Sequence, residues 1–207
     1  MSQKSAEADM LSDFLGRSLS ALALAAESRE FVLTVATIAR AVEGCLRRSG
    51  KLIIAGNGGS AGDAQHLAAE FLSRFLIERN PLPAIALTAD TSVLTAIGND
   101  YGYERIFARQ VEAIGARGDV LVVLSTSGAS ANLVGAVEAA RARGLVTVGL
   151  LGPGVRPLHQ VCTHVLAVPS DDLQSIQECH LVLVHSLVER TEQLLAGSDT
   201  GPGTGAS

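Results

Sequence analysis

Five short apolar runs alternate with longer helical stretches from Lys51 onward, and this alternation restricts the chain to very few folds. The runs are Lys51–Ala55, Ala84–Leu87, Val120–Leu124, Val146–Leu150 and Val165–Val168. They are apolar on consecutive residues, so both faces of each strand are covered. The stretches between and after them, near Ala61–Ile77, Tyr103–Ile114, Asn132–Arg143 and Asp171–Leu195, carry helical periodicity. Strands alternating with helices predict an α/β fold: a three-layer α/β/α sandwich around a five-stranded parallel sheet.

Residues 1–49 precede the first strand and contain no proline. Leu11, Leu15, Leu19 and Leu22 recur on one helical face, and Phe31, Val35, Ile38 and Val42 on another. One or two long helices are expected there, with apolar faces suited to packing against another subunit. The core domain is expected over 50–196. The segment 197–207, made of Gly, Ser, Thr, Pro, Ala and Asp, has nothing to bury and is expected to be disordered.

Composition excludes several functions. The net charge is −5 and aromatic residues make up 3%, which argues against nucleic-acid binding through basic patches or base stacking. Mean hydropathy is +0.31, yet the longest apolar stretches fall far short of the ~20 residues that span a bilayer. The first residues lack a basic-then-apolar leader pattern, so a cytoplasmic protein is expected. Cys45, Cys162 and Cys179 have no paired spacing and read as small buried hydrophobes.

In a parallel sheet the ligand site lies beyond the carboxyl ends of the strands. Strand one runs into Gly56-Asn57-Gly58-Gly59-Ser60, a loop that lets a ligand approach the backbone at a helix start. The same residues fit a loose dinucleotide pattern, but the acid expected some 20 residues further on is missing. A smaller phosphorylated or polyhydroxy ligand fits better. Strand three runs into Ser125-Thr126-Ser127-Gly128-Ala129-Ser130, four hydroxyls at a helix N-terminus. Hydroxyls, backbone N–H groups and the helix dipole together suit a phosphate, although one of the serines is needed as helix cap. No Walker-type lysine follows, so triphosphate hydrolysis is not supported.

His66 and Glu70 stand one helical turn apart after the glycine loop, with Asp63 and Arg74 on nearly the same face. Such a pair can hold a metal ion or exchange a proton. Gln177, Leu181 and His185 share a face of the last helix, whose apolar neighbours suggest that His185 is buried. Gln177 and His185 are separated by about 12 Å of helix axis, a long reach to one ion. His159 and His164 receive no role, and His180 a supporting one.

These residues together resemble the sugar isomerase (SIS) domain of the phosphoheptose isomerase family. The similarity runs through Gly56–Ser60, Asp63–His66 with Glu70, Ile97–Gly102, Ser125–Gly128, Ile176–His180 and His185. It implies a flavodoxin-like SIS fold, a homotetramer with the active site near a subunit interface, and one zinc ion per subunit. It implies conversion of D-sedoheptulose 7-phosphate to D-glycero-D-manno-heptose 7-phosphate, the entry to nucleotide-activated heptose. The metal ligands would be His66, Glu70, Gln177 and His185. Substrate contacts would come from Asn57, Gly58, Gly59, Ser60, Glu70, Asn99, Asp100, Ser125, Thr126, Ser127, Ser130 and Gln177. Aldose–ketose isomerisation needs a base at carbon and an acid at oxygen, which assigns Glu70 as base and His185 as acid, with Arg74 orienting Glu70 and counted among the substrate-facing residues. Ala129 and Gln174-Ser175 depart from residues common in the family and bear on sugar preference. A non-catalytic regulator that binds a replication initiator protein shares this fold, but would be expected to lack Glu70 and His185. Isomerisation of arabinose 5-phosphate or a hexulose phosphate is a further alternative.

Overall fold

The computed structural model describes residues 3–197. It places helices α1 (Gln3–Glu27) and α2 (Arg29–Arg47) before the first strand. The remaining order is β1 (Leu52–Gly56), α3 (Gly59–Leu72), β2 (Ala84–Ala86), α4 (Thr91–Tyr101), a 3₁₀ turn (Tyr103–Arg105) and α5 (Ala108–Ile114). Then come β3 (Val120–Ser125), α6 (Ala131–Ala142), β4 (Val146–Leu151), α7 (Pro157–Val161), β5 (His164–Ala167) and α8 (Leu173–Gly197). Gly197, assigned by sequence to the tail, is the last residue of α8; the rest of that segment lies outside the described residues.

All five strands pair in parallel, in the order β2-β1-β3-β4-β5. Alternation along each strand sorts the core into two faces, as strand geometry requires. Leu52, Ile54, Val122 and Leu124 join α2, α3 and α8 in one cluster. Ile53, Ala55, Leu121 and Val123 join Phe107 and Val111 near the start of α5, and Leu133 and Val137 of α6, in the other. This is the expected three-layer sandwich.

The N-terminal helices divide their two apolar faces between different environments. Ile38 and Val42 of α2 are buried in the same cluster as β1, while Leu11, Leu15 and Leu19 of α1 lie exposed. Ser28 separates the helices and accepts a hydrogen bond from the Phe31 amide, an N-cap. Among the described residues no helix is long and apolar enough to cross a membrane.

Several segments differ from the sequence expectation: α7 occupies a stretch expected to be a loop, Tyr103–Ile114 divides into a 3₁₀ turn and α5, and two further differences have a clear cause. Helix α3 stops at Leu72 rather than Ile77, because the amides of Phe75, Leu76 and Ile77 bond to the buried carboxylate of Glu192 instead of to carbonyls one turn back. Residues 91–101 form α4, started by Asp90, whose carboxylate accepts from the Val93 amide. No residue of α4 is fully buried, so its apolar pattern is weak.

Candidate active site

The sheet order reverses between β1 and β3, and the two loops singled out by sequence leave these adjacent strands on the same edge. Gly56 ends β1 where the Ser60 carbonyl crosses so closely that a Cβ would stand 2.4 Å from it. Only glycine allows α3 to start there. The loop is tied to its neighbour through Asn57 and Asn132 of α6, which exchange hydrogen bonds of 2.9 Å in both directions. The Tyr103 hydroxyl also donates to Asn57, at 2.9 Å.

After β3 the chain turns through Gly128 at a φ of +64°, a conformation that favours glycine. Ser125 Oγ accepts from the Gly128 amide at 3.1 Å and lies 3.5 Å from Ser127 Oγ. Ser130 occupies the N-cap of α6, yet its hydroxyl makes no capping bond. The Leu133 and Val134 amides bond instead to the Ser130 backbone carbonyl. The hydroxyl expected to serve as helix cap therefore makes no capping bond. Beneath the loop, His159 accepts from the Arg156 amide through Nδ1 and donates to the Gly152 carbonyl at 3.0 Å through Nε2. His159, which the sequence left without a role, supports the turn.

On the other side of the glycine loop, α3 and α8 bring three ligating side chains together. His66 Nε2 and His185 Nε2 are 2.9 Å apart, and Glu70 Oε1 is 3.5 Å from His66 Nε2. The ligating atoms of His66, Glu70 and His185 all lie within 4.8 Å of one another. Two imidazole nitrogens and a carboxylate this close together can hold a divalent metal ion. His185 is partly exposed, not buried as its apolar helix suggested, because it opens onto this cluster. The Phe75 ring stacks on it, with centroids 5.3 Å apart and planes 16° from parallel.

Gln177 is held apart from this cluster. Its amide donates to Asp63 Oδ2 at 3.3 Å and lies over Gly59, two turns of α8 before His185. Burial holds the Asp63 carboxyl above its ordinary value, against the opposing pull of the Gln177 bond and of His66. Asn99 and Asp100 sit at the exposed end of α4 and bond to each other at 2.8 Å.

Arg74 departs from its expected place. It lies beyond the end of α3 and pairs with Glu78 at 3.3 Å on the surface, so the helical spacing that linked it to Glu70 no longer applies. The arginine that reaches Glu70 is Arg79, which donates to the Glu70 carbonyl at 2.8 Å. Arg79, Phe75, Glu192, Asn132 and Tyr103 were not read from the sequence. All five act through contacts with residues distant along the chain, which local spacing does not reveal.

Comparison with known proteins agrees with this geometry. Residues 16–152 match the family model described as the SIS domain. A phosphoheptose isomerase of Bradyrhizobium sp. (strain ORS 278) is 48% identical over 186 residues, covering 90% of this chain and 94% of its own. One from Roseiflexus sp. (strain RS-1) is 53% identical, over 78% of this chain and 82% of its own. The solved phosphoheptose isomerase from Francisella tularensis superposes with a TM-score of 0.86 at 38% identity, over 90% of this chain and 98% of that one. That from Neisseria gonorrhoeae gives a TM-score of 0.83 at 39% identity, over 89% and 98%. The chain belongs to the phosphoheptose isomerase family of SIS-domain proteins.

Proposed function

We propose that the chain isomerises D-sedoheptulose 7-phosphate to D-glycero-D-manno-heptose 7-phosphate, the first step of nucleotide-activated heptose biosynthesis. The observation that carries this reading is the convergence of Glu70 and His185, with His66, between α3 and α8, in a chain whose β3 runs into a hydroxyl-rich loop. Relatives that share about half of its residues bear the name phosphoheptose isomerase.

The reaction moves a hydrogen between C1 and C2 through an enediol. A base must take the proton from carbon, and an acid must protonate the carbonyl oxygen. Glu70 is assigned as the base and His185 as the acid, each held by a neighbour: Glu70 by its contact with His66, His185 by the flat Phe75 ring. The 7-phosphate is assigned to the Ser125, Thr126, Ser127 and Ser130 loop, where hydroxyls and the first amides of α6 face the anion. Asn57, Gly58, Gly59, Ser60, Asn99, Asp100 and Gln177 are assigned to the sugar hydroxyls between the two ends.

The donor set of His66, Glu70 and His185 fits one metal ion per subunit, assigned as zinc; Gln177 would have to leave its bond to Asp63 to join them as the remaining donor. When bound, zinc supplies Lewis acidity toward the sugar oxygens.

The exposed row Leu11, Leu15 and Leu19, with an adjoining apolar groove of about 440 Å³ lined by Leu22, Phe31, Val32 and Val182, supports a homotetramer whose sites lie near subunit contacts. The free cysteines, Cys45 and Cys179 buried, fit a reducing cytoplasmic setting.

Purified protein supplied with sedoheptulose 7-phosphate should form the aldose, lose activity on chelation and regain it with zinc. Arabinose 5-phosphate and a hexulose phosphate should turn over far more slowly. Failure to isomerise sedoheptulose 7-phosphate with any divalent metal contradicts the proposal.

A further inference from the structure

Glu192 is a charged residue on the inner face of α8, only 2% exposed. Its buried neighbours along the helix include Leu187 and Val188. Holding a helix in a core needs no charge, and an apolar side chain would do so at lower desolvation cost. The carboxylate is, however, completely engaged. Oε1 accepts from the Phe75 amide at 3.0 Å and Arg79 Nε at 2.8 Å, and Oε2 from the Leu76 and Ile77 amides at 2.9 and 3.1 Å. Burial raises its pKa, but the three amides and the Arg79 guanidinium outweigh that and hold it below the ordinary carboxylate value.

Arg79 is equally committed. Its remaining nitrogens donate to the carbonyls of Glu70, Phe71, Ser73 and Asn80 at 2.8 to 3.2 Å, closing the C-terminal end of α3. The pair therefore touches the active site twice. Through Arg79 it grips the backbone of Glu70, and through three amides it fixes the segment that lays Phe75 flat on His185. Hydrogen bonds to three consecutive amides fix register and rotation, which apolar packing would leave free to slide.

We propose that the buried Glu192–Arg79 pair is a positioning device that holds Glu70 and His185 at the separation needed to share one metal ion. This rests on the reading of those two residues as part of a zinc centre. Glu192 and Arg79 do not touch substrate, and their role is exerted through Glu70 and Phe75.

Zinc affinity of chelator-stripped full-length protein, measured by competition with a chromophoric chelator, reads the proposal without recourse to turnover. Glu192→Gln and Phe75→Leu should each weaken zinc binding tenfold or more, and lower kcat at saturating zinc about tenfold with KM within twofold. Phe75→Tyr, which keeps the flat ring, should bind zinc within twofold of wild type. Ile38→Ala, a cavity in the core cluster that α2 shares with β1, should lower Tm but leave zinc affinity within twofold. If Glu192→Gln does not fold, the contrast between Phe75→Leu and Phe75→Tyr decides. Wild-type zinc affinity in Glu192→Gln and Phe75→Leu, or an equal loss in Ile38→Ala or Phe75→Tyr, overturns the proposal. Wild-type protein that binds zinc but does not isomerise sedoheptulose 7-phosphate overturns the proposed function alone.

Discussion

Asn57 and Asn132 face each other across the sheet switch point and exchange two amide hydrogen bonds of 2.9 Å. Tyr103 also donates to the Asn57 carbonyl, which leaves Asn57 with one further N–H to donate. Asn132→Asp removes the donor and sets a carboxylate against the Asn57 carbonyl. The expected outcome is a rise of about tenfold in KM for sedoheptulose 7-phosphate with a smaller change in kcat, read from steady-state kinetics. An unchanged KM would show that Asn57 does not need this partner.

Ser130 separates a binding role from a capping role. Removing a working N-cap costs about 1 kcal/mol, whereas a hydrogen bond to a charged group contributes about 1.5–3 kcal/mol. Because the Ser130 hydroxyl caps nothing, Ser130→Ala should leave stability within about 0.5 kcal/mol by urea unfolding, the range of a surface substitution, while raising KM roughly tenfold or more. A loss of stability with unchanged KM would return the serine to the helix.

How far the sequence leads depends on the range of the interactions. The strands were legible because Val120–Leu124 and Val146–Leu150 are apolar at every position, and only a sheet covered on both faces buries such runs. The His66–Glu70 pair was legible because helix geometry sets its spacing. The end of α3 was not, because it is set by Glu192, more than a hundred residues downstream. The same cause displaced Arg74: with α3 ended at Leu72, helical spacing no longer links it to Glu70. Helix α4 escaped notice because it buries none of its residues completely, although Asp90 offered a capping signal.

His180 gives the fold a dependence on acid. It is fully buried, and burial pushes its pKa down to about 4 against the weaker opposing pull of the Leu151 backbone. Between that value and the ordinary one near 6.5 the unfolded chain binds a proton that the folded chain refuses, so stability falls as pH falls through this window. The expected loss is about 2 kcal/mol between pH 7 and pH 5. Urea unfolding at the two pH values should show this loss in wild type and a smaller one in His180→Gln. Equal losses would remove His180 as the cause.

The exposed leucines of α1 predict how assembly responds to charge. Leu15→Glu with Leu19→Glu places two carboxylates on a face that is apolar and open in the single chain. Light scattering should report species smaller than the proposed tetramer, with the fold retained by circular dichroism. A tetramer unaffected by both substitutions would place the contacts elsewhere.

The assignment of Glu70 as the base at carbon is tested most directly by following sedoheptulose 7-phosphate in deuterated water. Wild-type protein should place deuterium on the carbon that receives the hydrogen. General-base catalysis contributes about 10²–10⁴-fold, so zinc-loaded Glu70→Gln should lose turnover by roughly that factor and exchange no deuterium into recovered substrate. Turnover and deuterium incorporation by Glu70→Gln at the wild-type rate would contradict the account.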